Sequence, residues 1–369
     1  MKNGAKKESA LQSLDLYRND IGRIDDQIVS LLSKRQKLAI EIGKLKMELG
    51  HDIFEVSREQ ELFRKLSSTE HKNLSSQAIR SIFSEIISAS QSVQKVPVVA
   101  YLGPEATFSH QAAISLYGKS ASFRATESIE EVFSLVEKDL CHKGIVPIEN
   151  SYEGSVNITS DLFYQYDLKI SAEIFVRIRH HLLSREGGFG DIKNLYVHPM
   201  TLGQCRSWIK GHLPGVVIKE VASNSLSAKI ASEEKGSAGI GSRLCGEIYE
   251  LKTLEEDIED HPDNITRFLV IGKNRTEPTG KDKTSILFFL RHKPGALYGA
   301  LAILSDRGLN MTRIESRPMK IRNWEYLFFV DVEGHERDSN VSEALKEMGK
   351  SCAFLKSLGS YPVGGEPWD

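Results

Sequence analysis

Two cations interrupt an otherwise apolar repeat near the start of the chain. Apolar side chains recur every three or four residues across residues 14–49. Arg35 falls at a repeat position between Ile28 and Ile42, where an aliphatic side chain would pack best. A buried guanidinium without a partner is costly, so Arg35 requires an anion. At about 100° per residue, Lys46 returns to within roughly 20° of Arg35 on the same helix face, and the pair predicts a site for a small anion.

Further polar side chains extend this candidate site. Arg18 lies about 100° around the helix from Arg35 and should point across the apolar seam towards another subunit. In a later apolar stripe, Ser90 and Gln94 replace the apolar residues. The predicted helix between the one that carries Arg35 and the one that carries Ser90 opens with two charged residues, Arg58 and Glu59. Each residue taken alone is more often a solvated surface residue, so the inference depends on the whole set.

The elements that would position these residues are helices. Residues 14–49 contain no proline, and one helix of that length would extend about 54 Å, too far for its own domain to cover the seam. We therefore predict a partner subunit. A second helix is predicted from Ser57, whose spacing to Gln60 resembles a capping box, and a third over residues 76–93. The first segment is therefore predicted to be all-α.

After residue 97 the pattern changes to short β-rich runs separated by helical stretches, which predicts an α/β unit. The predicted strands cover residues 98–102, 144–148, 173–182, 216–221 and 238–240. A polar stretch over residues 275–283 predicts a linker.

The remaining residues predict a small third unit with the order βαββαβ, which is ferredoxin-like. Its predicted strands cover residues 285–290, 311–317 and 325–332, with a last strand near Leu355. Its predicted helices cover residues 296–307 and 340–349.

Composition excludes several classes of function. The 48 basic and 50 acidic residues among 369 nearly cancel, which argues against nucleic acid or a membrane surface as a partner. Residues 1–13 are polar and are followed by no apolar segment for a signal or a membrane span, so we expect a cytoplasmic protein. The four cysteines form no C-x-x-C pair, and we expect neither a metal site nor a disulfide framework.

From Tyr17 to Gln94 the sequence resembles the all-helical chorismate mutase family. The matching positions are Arg18, Arg35, Lys46, Arg58, Glu59, Ser90 and Gln94, and Glu55 stands where the family more often has aspartate. The resemblance implies an intertwined dimer in which Arg18 completes the partner's site. It also implies that Arg18 and Arg35 hold the two carboxylates of chorismate, and that Lys46 and Gln94 donate to its ether oxygen. Substrate-binding roles follow by the same resemblance for Glu55, Arg58, Glu59 and Ser90.

Four strings in the middle of the chain, in this order and spacing, resemble the prephenate dehydratase family across residues 97–273. They are AYLGPEATFSHQAA, VPIENSYEGSV, YVHPMTLGQC and DNITRFLVIG. The resemblance implies two α/β lobes crossed by the chain, with the substrate between them. It places an essential threonine at Thr266, and Glu149, Asn150 and Gln204 around the substrate. Val197 stands where the family often has serine.

Loss of carbon dioxide and hydroxide from prephenate is driven by aromatisation, so no cofactor is expected. We expect Thr266 to hydrogen-bond the leaving hydroxyl. The apolar flank of Glu149 favours its protonated form, which makes Glu149 our candidate proton donor. His110 is the alternative, although we expect an exposed loop histidine there.

Residues 284–362 resemble the ACT type of ligand-sensing domain. The motif positions are Gly295, Ala296, Leu297, Glu315, Ser316, Arg317 and Pro318, while Tyr298 departs from the usual small aliphatic residue. The resemblance implies that phenylalanine binds between paired domains as an allosteric inhibitor.

The sequence thus predicts three domains, over residues 10–95, 97–273 and 284–362, in a homodimer, with a dimer of dimers left open. A regulator without catalytic activity is the competing interpretation, since a two-lobed domain with a sensing domain could bind an amino acid alone. Dimerisation by itself does not explain cations within an apolar seam.

Overall fold

The structure is a computed structural model that describes residues 2–49, 56–67, 73–291, 293–318 and 326–368. Within the first two ranges, some residues are described by their backbone alone.

Three helices form the first unit, as the sequence predicts. They are α1 (Lys2–Glu48), α2 (Val56–Ser67) and α3 (Ser76–Ser92). The Ser75 side chain accepts a hydrogen bond from Ala78 N at 3.1 Å, which caps the first turn of α3. The proposed capping side chains of α2, Ser57 and Gln60, lie outside the described residues.

The apolar seam of α1 is uncovered in the single chain. Tyr17 is 64% exposed and Leu38 is 66% exposed, and the seam residues between them, such as Ile28 and Leu31, are exposed as well. A run of large apolar side chains along one helix face is costly to leave in water. The seam therefore requires a covering surface, as its periodicity predicts.

The chain next builds the first lobe of an α/β unit. Its strands are β1 (Val98–Leu102), β2 (Ser122–Thr126), β3 (Lys143–Asn150), β4 (Gly154–Ser155) and β5 (Lys169–Arg177). Its helices are α4 (Phe108–Tyr117), α5 (Ile129–Glu137) and α6 (Asn157–Gln165). Strands β2 and β3 run parallel to β1 on either side of it.

A second lobe follows, with the strand order β10-β6-β9-β7-β8. Its strands are β6 (His181–Ser184), β7 (Asn194–Val197), β8 (Val217–Glu220), β9 (Ser237–Gly241) and β10 (Lys252–Glu255). Its helices are α7 (Pro199–Gln204), α8 (Arg206–His212), α9 (Asn224–Glu233) and α10 (Arg243–Ile248). The single strand predicted over residues 173–182 is wrong, because the chain leaves β5 at Arg177 and enters the other sheet at His181.

The chain then returns to the first lobe as β11 (Ile265–Gly272). This strand lies between β3 and β5, antiparallel to both, and completes the sheet order β2-β1-β3-β11-β5. Its register places Thr266 opposite Asn150 and Arg267 opposite Glu149. Residues more than 100 positions apart in sequence are therefore neighbours because of this return strand.

The third unit has the predicted βαββαβ order and an antiparallel sheet ordered β13-β14-β12-β15. Its strands are β12 (Asp282–Leu290), β13 (Met311–Pro318), β14 (Tyr326–Glu333) and β15 (Cys352–Pro362). Its helices are α11 (Ala296–Ser305) and α12 (Ser339–Ser351). One face of the sheet shares a core with the first lobe, where Phe329 packs on Phe163.

The last described residues return to the other two units. Trp368 N donates to Phe175 O at 2.8 Å, and Arg177 N donates to Trp368 O at 2.7 Å, which extends the edge of β5. The Arg80 guanidinium of α3 lies 4.4 Å from the centre of the Trp368 ring, a cation–π contact. This segment therefore contacts the helical unit and the first lobe together.

Within the part of the chain that the structure describes, no helix combines the length and apolarity needed to cross a membrane. All four cysteines are buried and carry free thiols.

Candidate active sites

A cavity of about 860 Å³ opens between the three helices of the first unit. Five predicted residues line it, namely Arg35, Lys46, Arg58, Ser90 and Gln94. Helix α1 supplies Arg35 and Lys46 from one face, the last turn of α3 supplies Ser90, and Gln94 follows in the turn after α3. These five predicted residues thus share one space within a single chain.

Arg35 contacts the opposite wall of this cavity. Its Nη1 donates to Ser90 Oγ and, at 3.3 Å, to the Ile86 carbonyl. Burial lowers the pKa of the Arg35 guanidinium, because the charged form loses part of its hydration. A bound carboxylate would replace that hydration, which is the physical reason for a cation at this position.

Gln94 carries an unused hydrogen-bonding group. Its Oε1 is buried and has no hydrogen-bonding partner. Its side chain lies so close to Gly43 of α1 that a Cβ atom on Gly43 would stand 2.7 Å from Gln94 Cγ. Glycine at this position therefore allows Gln94 to reach the cavity.

Three polar lining residues were missed by sequence reasoning, namely Glu61, Lys65 and Gln91. The sequence did carry a signal for Glu61 and Lys65. The i, i+3, i+4, i+7 spacing of one helix face is present at Arg58, Glu61, Leu62 and Lys65. Lys65 raises the number of cations around the cavity to four.

Arg18 does not line this cavity. Its side chain is 70% exposed and its Nη1 lies 3.7 Å from Asp15 Oδ1. An exposed ion pair at this separation holds the guanidinium weakly, which leaves it available to another subunit. Its assignment to the partner's site stays a prediction. Glu55 and the side chain of Glu59 lie outside the described residues.

In the α/β unit, the structure joins Asn150 to Thr266. Asn150 Nδ2 donates to Thr266 Oγ1 at 2.8 Å and to Asn264 Oδ1 at 2.7 Å. Asn150 Oδ1 accepts from the backbone N–H groups of Tyr152 and Glu153, both at 2.9 Å. These four bonds occupy the whole amide, so Asn150 holds Thr266 in place, and Thr266 keeps its own O–H free to donate.

Glu149 is paired with a residue of the third unit. Arg313 Nε donates to Glu149 Oε2 at 3.1 Å, and Arg313 Nη2 donates to Ser155 Oγ at 3.0 Å. The Arg313 side chain therefore bridges Glu149 and Ser155 of the first lobe. The role of Glu149 as proton donor stays a prediction, and this contact links it to the sensing domain.

His110 is not an exposed loop residue, contrary to our expectation. It lies in α4, is 4% exposed, and stacks on Tyr101 with ring centres 4.5 Å apart. Its Nδ1 accepts a hydrogen bond from Ala106 N at 3.1 Å. Burial lowers the pKa of His110 to about 4, so the ring is neutral at pH 7.

Gln204 lies in the second lobe, at the end of α7. Its Oε1 is 2.8 Å from His180 Nε2, and its backbone oxygen accepts from Asp260 N at 2.7 Å. Both contacts come from segments that connect the two lobes. Sequence reasoning missed His180, which no string singled out.

A buried charge cluster ties the strand of Thr266 to the third unit. The Arg267 guanidinium lies 2.7 Å from both Glu173 and Asp331 carboxylates, and it donates to Tyr361 Oη at 3.0 Å. Lys283 Nζ lies 3.0 Å from Glu173. Pairing of Arg267 with carboxylates on both sides is what makes this buried charge tolerable, so the cluster ties the two units together.

Two of the predicted sensing residues face the first lobe. Ser155 Oγ donates to Glu315 Oε2 at 2.7 Å, and Arg317 Nη2 lies 2.7 Å from Asp161 Oδ2. Ser316 and Pro318 alternate with them and are exposed on the other side of β13. On the same unit, Gly295 takes a positive φ of 76° where α11 begins, followed by Ala296 and Leu297. Their contact with phenylalanine stays a prediction.

Comparisons with known proteins agree with the three units. Family models match residues 17–95 as chorismate mutase type II, residues 99–276 as prephenate dehydratase and residues 284–349 as an ACT domain. A bifunctional chorismate mutase/prephenate dehydratase of Aquifex aeolicus is 44% identical over 95% of this chain and 98% of its own length. The protein of the same description from Pseudomonas aeruginosa is 38% identical over 95% and 97%.

A solved structure is similar over the last two units. It is the prephenate dehydratase from Arthrobacter aurescens in complex with L-Phe, which is 33% identical and aligns with a TM-score of 0.67. The alignment covers 72% of this chain and 90% of that one.

Proposed function

Because this chain belongs to the family of bifunctional chorismate mutase/prephenate dehydratases, we propose that its separate sites catalyse successive steps towards phenylalanine. The helical unit rearranges chorismate to prephenate. The α/β unit then removes carbon dioxide and water from prephenate to give phenylpyruvate. The observation that carries the proposal is the convergence of four cations on one helical cavity in the same chain as the Asn150–Thr266 pair.

The mutase step is a pericyclic shift in which negative charge develops on the breaking ether oxygen and no proton moves. Catalysis therefore depends on orientation and on fixed donors near that oxygen. In our proposal Arg35 holds one carboxylate of chorismate, while Lys46 and Gln94 donate to the ether oxygen. Arg18 of a second subunit holds the other carboxylate. Substrate contacts by Arg58 and Ser90 support the same orientation.

The dehydratase step requires a donor to the leaving hydroxyl and contacts to the carboxylates. The Thr266 O–H is free to serve the leaving group, because Asn150 occupies the acceptor side of that oxygen. Glu149 supplies the proton once its contact with Arg313 opens. Gln204 binds an anionic oxygen of prephenate from the second lobe.

Phenylalanine inhibits the dehydratase through the third unit, an allosteric coupling typically worth about 1 to 3 kcal/mol. The contacts that support this route are Arg313 with Glu149 and Arg267 with Asp331, since both connect the sensing sheet to the strands of the dehydratase site. The proposed assembly is a homodimer in which the seam of α1 is covered by the partner subunit.

A coupled assay tests the proposal directly. Chorismate consumption and the alkaline absorbance of phenylpyruvate should both rise with enzyme concentration, and phenylalanine should reduce the second signal. A chain that binds phenylalanine but consumes neither substrate would instead be a regulator without chemistry.

A further inference from the structure

The ring of His180 is held on three sides beside Gln204. It is 1% exposed, and the edge of Phe108 packs on it with ring centres 5.8 Å apart. Its backbone N–H donates to Glu259 Oε2 at 2.9 Å, and Arg179 Nη1 holds the other oxygen of Glu259 at 2.6 Å. The imidazole therefore has little freedom to turn away from Gln204.

The contact between the two side chains determines where the protons lie. An amide oxygen only accepts hydrogen bonds, so a bond to Gln204 Oε1 at 2.8 Å requires a hydrogen on His180 Nε2. Burial lowers the pKa of His180, which keeps the ring neutral. The remaining nitrogen, Nδ1, is buried without a hydrogen-bonding partner, as expected for a bare lone pair rather than an N–H donor.

The opposite end of the Gln204 amide is then defined. Its Nε2 donates to no described residue, and it is not among the buried polar atoms that lack a partner. If the amide were turned over, its oxygen would face an anionic substrate and His180 would need an N–H on its buried, unpartnered Nδ1. Both changes are unfavourable.

We propose that His180 is a positioning residue of the dehydratase site, whose Nε2–H holds Gln204 Oε1 and turns the Gln204 amide N–H donors towards an anionic oxygen of prephenate. This inference rests on the proposed binding role of Gln204. His180 itself touches no reacting atom. Its loss should therefore weaken prephenate binding more than it slows the chemical step.

Two substitutions of similar size separate this role from simple packing. The amide nitrogen of His180→Gln reaches the position of the lost Nε2, whereas that of His180→Asn reaches only the position of Nδ1. We expect His180→Asn to raise the KM for prephenate about tenfold, with kcat changed less than about threefold, and His180→Gln to restore most of the loss. Added to Gln204→Ala, His180→Asn should cause no further loss, because the group that it positions is absent.

Mutase turnover in each variant reports whether the chain is folded. The proposal would be overturned if wild type and His180→Asn had equal KM values for prephenate, or if both His180 variants had equal defects. It would also be overturned if the effect of His180→Asn multiplied with that of Gln204→Ala. In the wild-type enzyme, ¹⁵N NMR of labelled histidine should show His180 protonated at Nε2, and protonation at Nδ1 alone would also overturn it. A wild-type chain without dehydratase turnover would instead contradict the proposed function.

Discussion

The cavity of the helical unit is lined by four cations, whereas the Asn150–Thr266 pair of the α/β unit consists of an amide and a hydroxyl that bind one another. Arg35 loses hydration without gaining a carboxylate, and Gln94 Oε1 has no partner. By contrast, Asn150 has all four hydrogen bonds within its own unit. In our proposal the first site is completed by substrate and by Arg18 of a second subunit, whereas Asn150 and Thr266 are already held together within one chain.

The comparison has a physical basis. The carboxylates of a dianionic substrate can pair with the cations of a cationic cavity. Such a cavity can therefore be assembled between subunits at little cost. Neutral donors must instead be aimed before the substrate arrives, because each contributes little unless its geometry is fixed. Mixing subunits should therefore affect the mutase alone.

The largest expected effect comes from separating the two arginines of the mutase site. Arg18→Ala and Arg35→Ala homodimers should each lose about 3 kcal/mol or more of transition-state stabilisation, because every site lacks one carboxylate contact. When the variants are co-refolded, heterodimers carry both defects in one site and none in the other. Mutase activity should return to about half of wild type per heterodimer, measured as chorismate consumption, while dehydratase activity stays level.

Heterodimers that are detected by mass spectrometry but show no recovered mutase turnover would contradict the assignment of Arg18 to the partner's site.

A smaller effect is expected at Thr266, where the dehydratase depends on one hydroxyl. Thr266→Val preserves the shape and removes the O–H, and should lower dehydratase kcat by about 100-fold, since one donor to the leaving group is lost. Thr266→Ser keeps the hydroxyl and should retain most of the activity. Phenylpyruvate formation measures both, and equal losses in the two variants would show that the hydroxyl is not the important group.

Gly43 tests how closely α1 and α3 must approach in the mutase. Gly43→Ala places a methyl group 2.7 Å from Gln94 Cγ and should displace Gln94, lowering mutase kcat by about tenfold. Gly22 lies in the same helix with nothing within 4 Å of its Cβ position, so Gly22→Ala is the matched control. Helix propensity favours both substitutions by up to about 1 kcal/mol, so a loss at Gly43 alone reports the contact. Equal mutase rates in the two variants would argue against Gln94 as a donor.

The last prediction concerns stability and not catalysis, and is a pH response of the dehydratase unit. The pKa of His110 is about 4 in the folded chain and 6.5 when unperturbed. Between these values the unfolded chain binds a proton that the native chain does not, so stability is lost as the pH falls. We expect His110 to account for a loss of about 2 kcal/mol between pH 8 and pH 5. Urea unfolding of wild type and His110→Asn should differ in this pH dependence, and parallel curves would contradict it.

Much of the architecture could be predicted from local patterns. The period of apolar residues gave the long helix, and the same pattern marked Arg35 and Lys46 as exceptions that needed an anion. The βαββαβ order of the third unit followed from alternation and turn residues. The predicted limits of the three domains, the dimer and the roles of the site residues stay predictions.

Other features depended on contacts between distant parts of the chain. No local pattern distinguishes one continuous strand from two consecutive strands that belong to different sheets. For this reason the break between Arg177 and His181 was missed. The burial of His110, which lies in α4, depends on Tyr101 of β1 and Phe123 of β2. Lys65 differs from these, because its spacing of seven residues from Arg58 is a local signal that already places both cations on one face of α2.

The sequence by itself determined which side chains have the chemistry for each step, because residue type and helical or strand period are local properties. Only the tertiary structure decided which hydrogen-bonding and ion-pair partners those groups have. The return of β11 between β3 and β5 places Thr266 beside Asn150, and the docked sensing sheet places Arg313 on Glu149. Hydrogen bonds and ion pairs act over about 3 Å, so their partners are fixed only when packing has brought distant segments together.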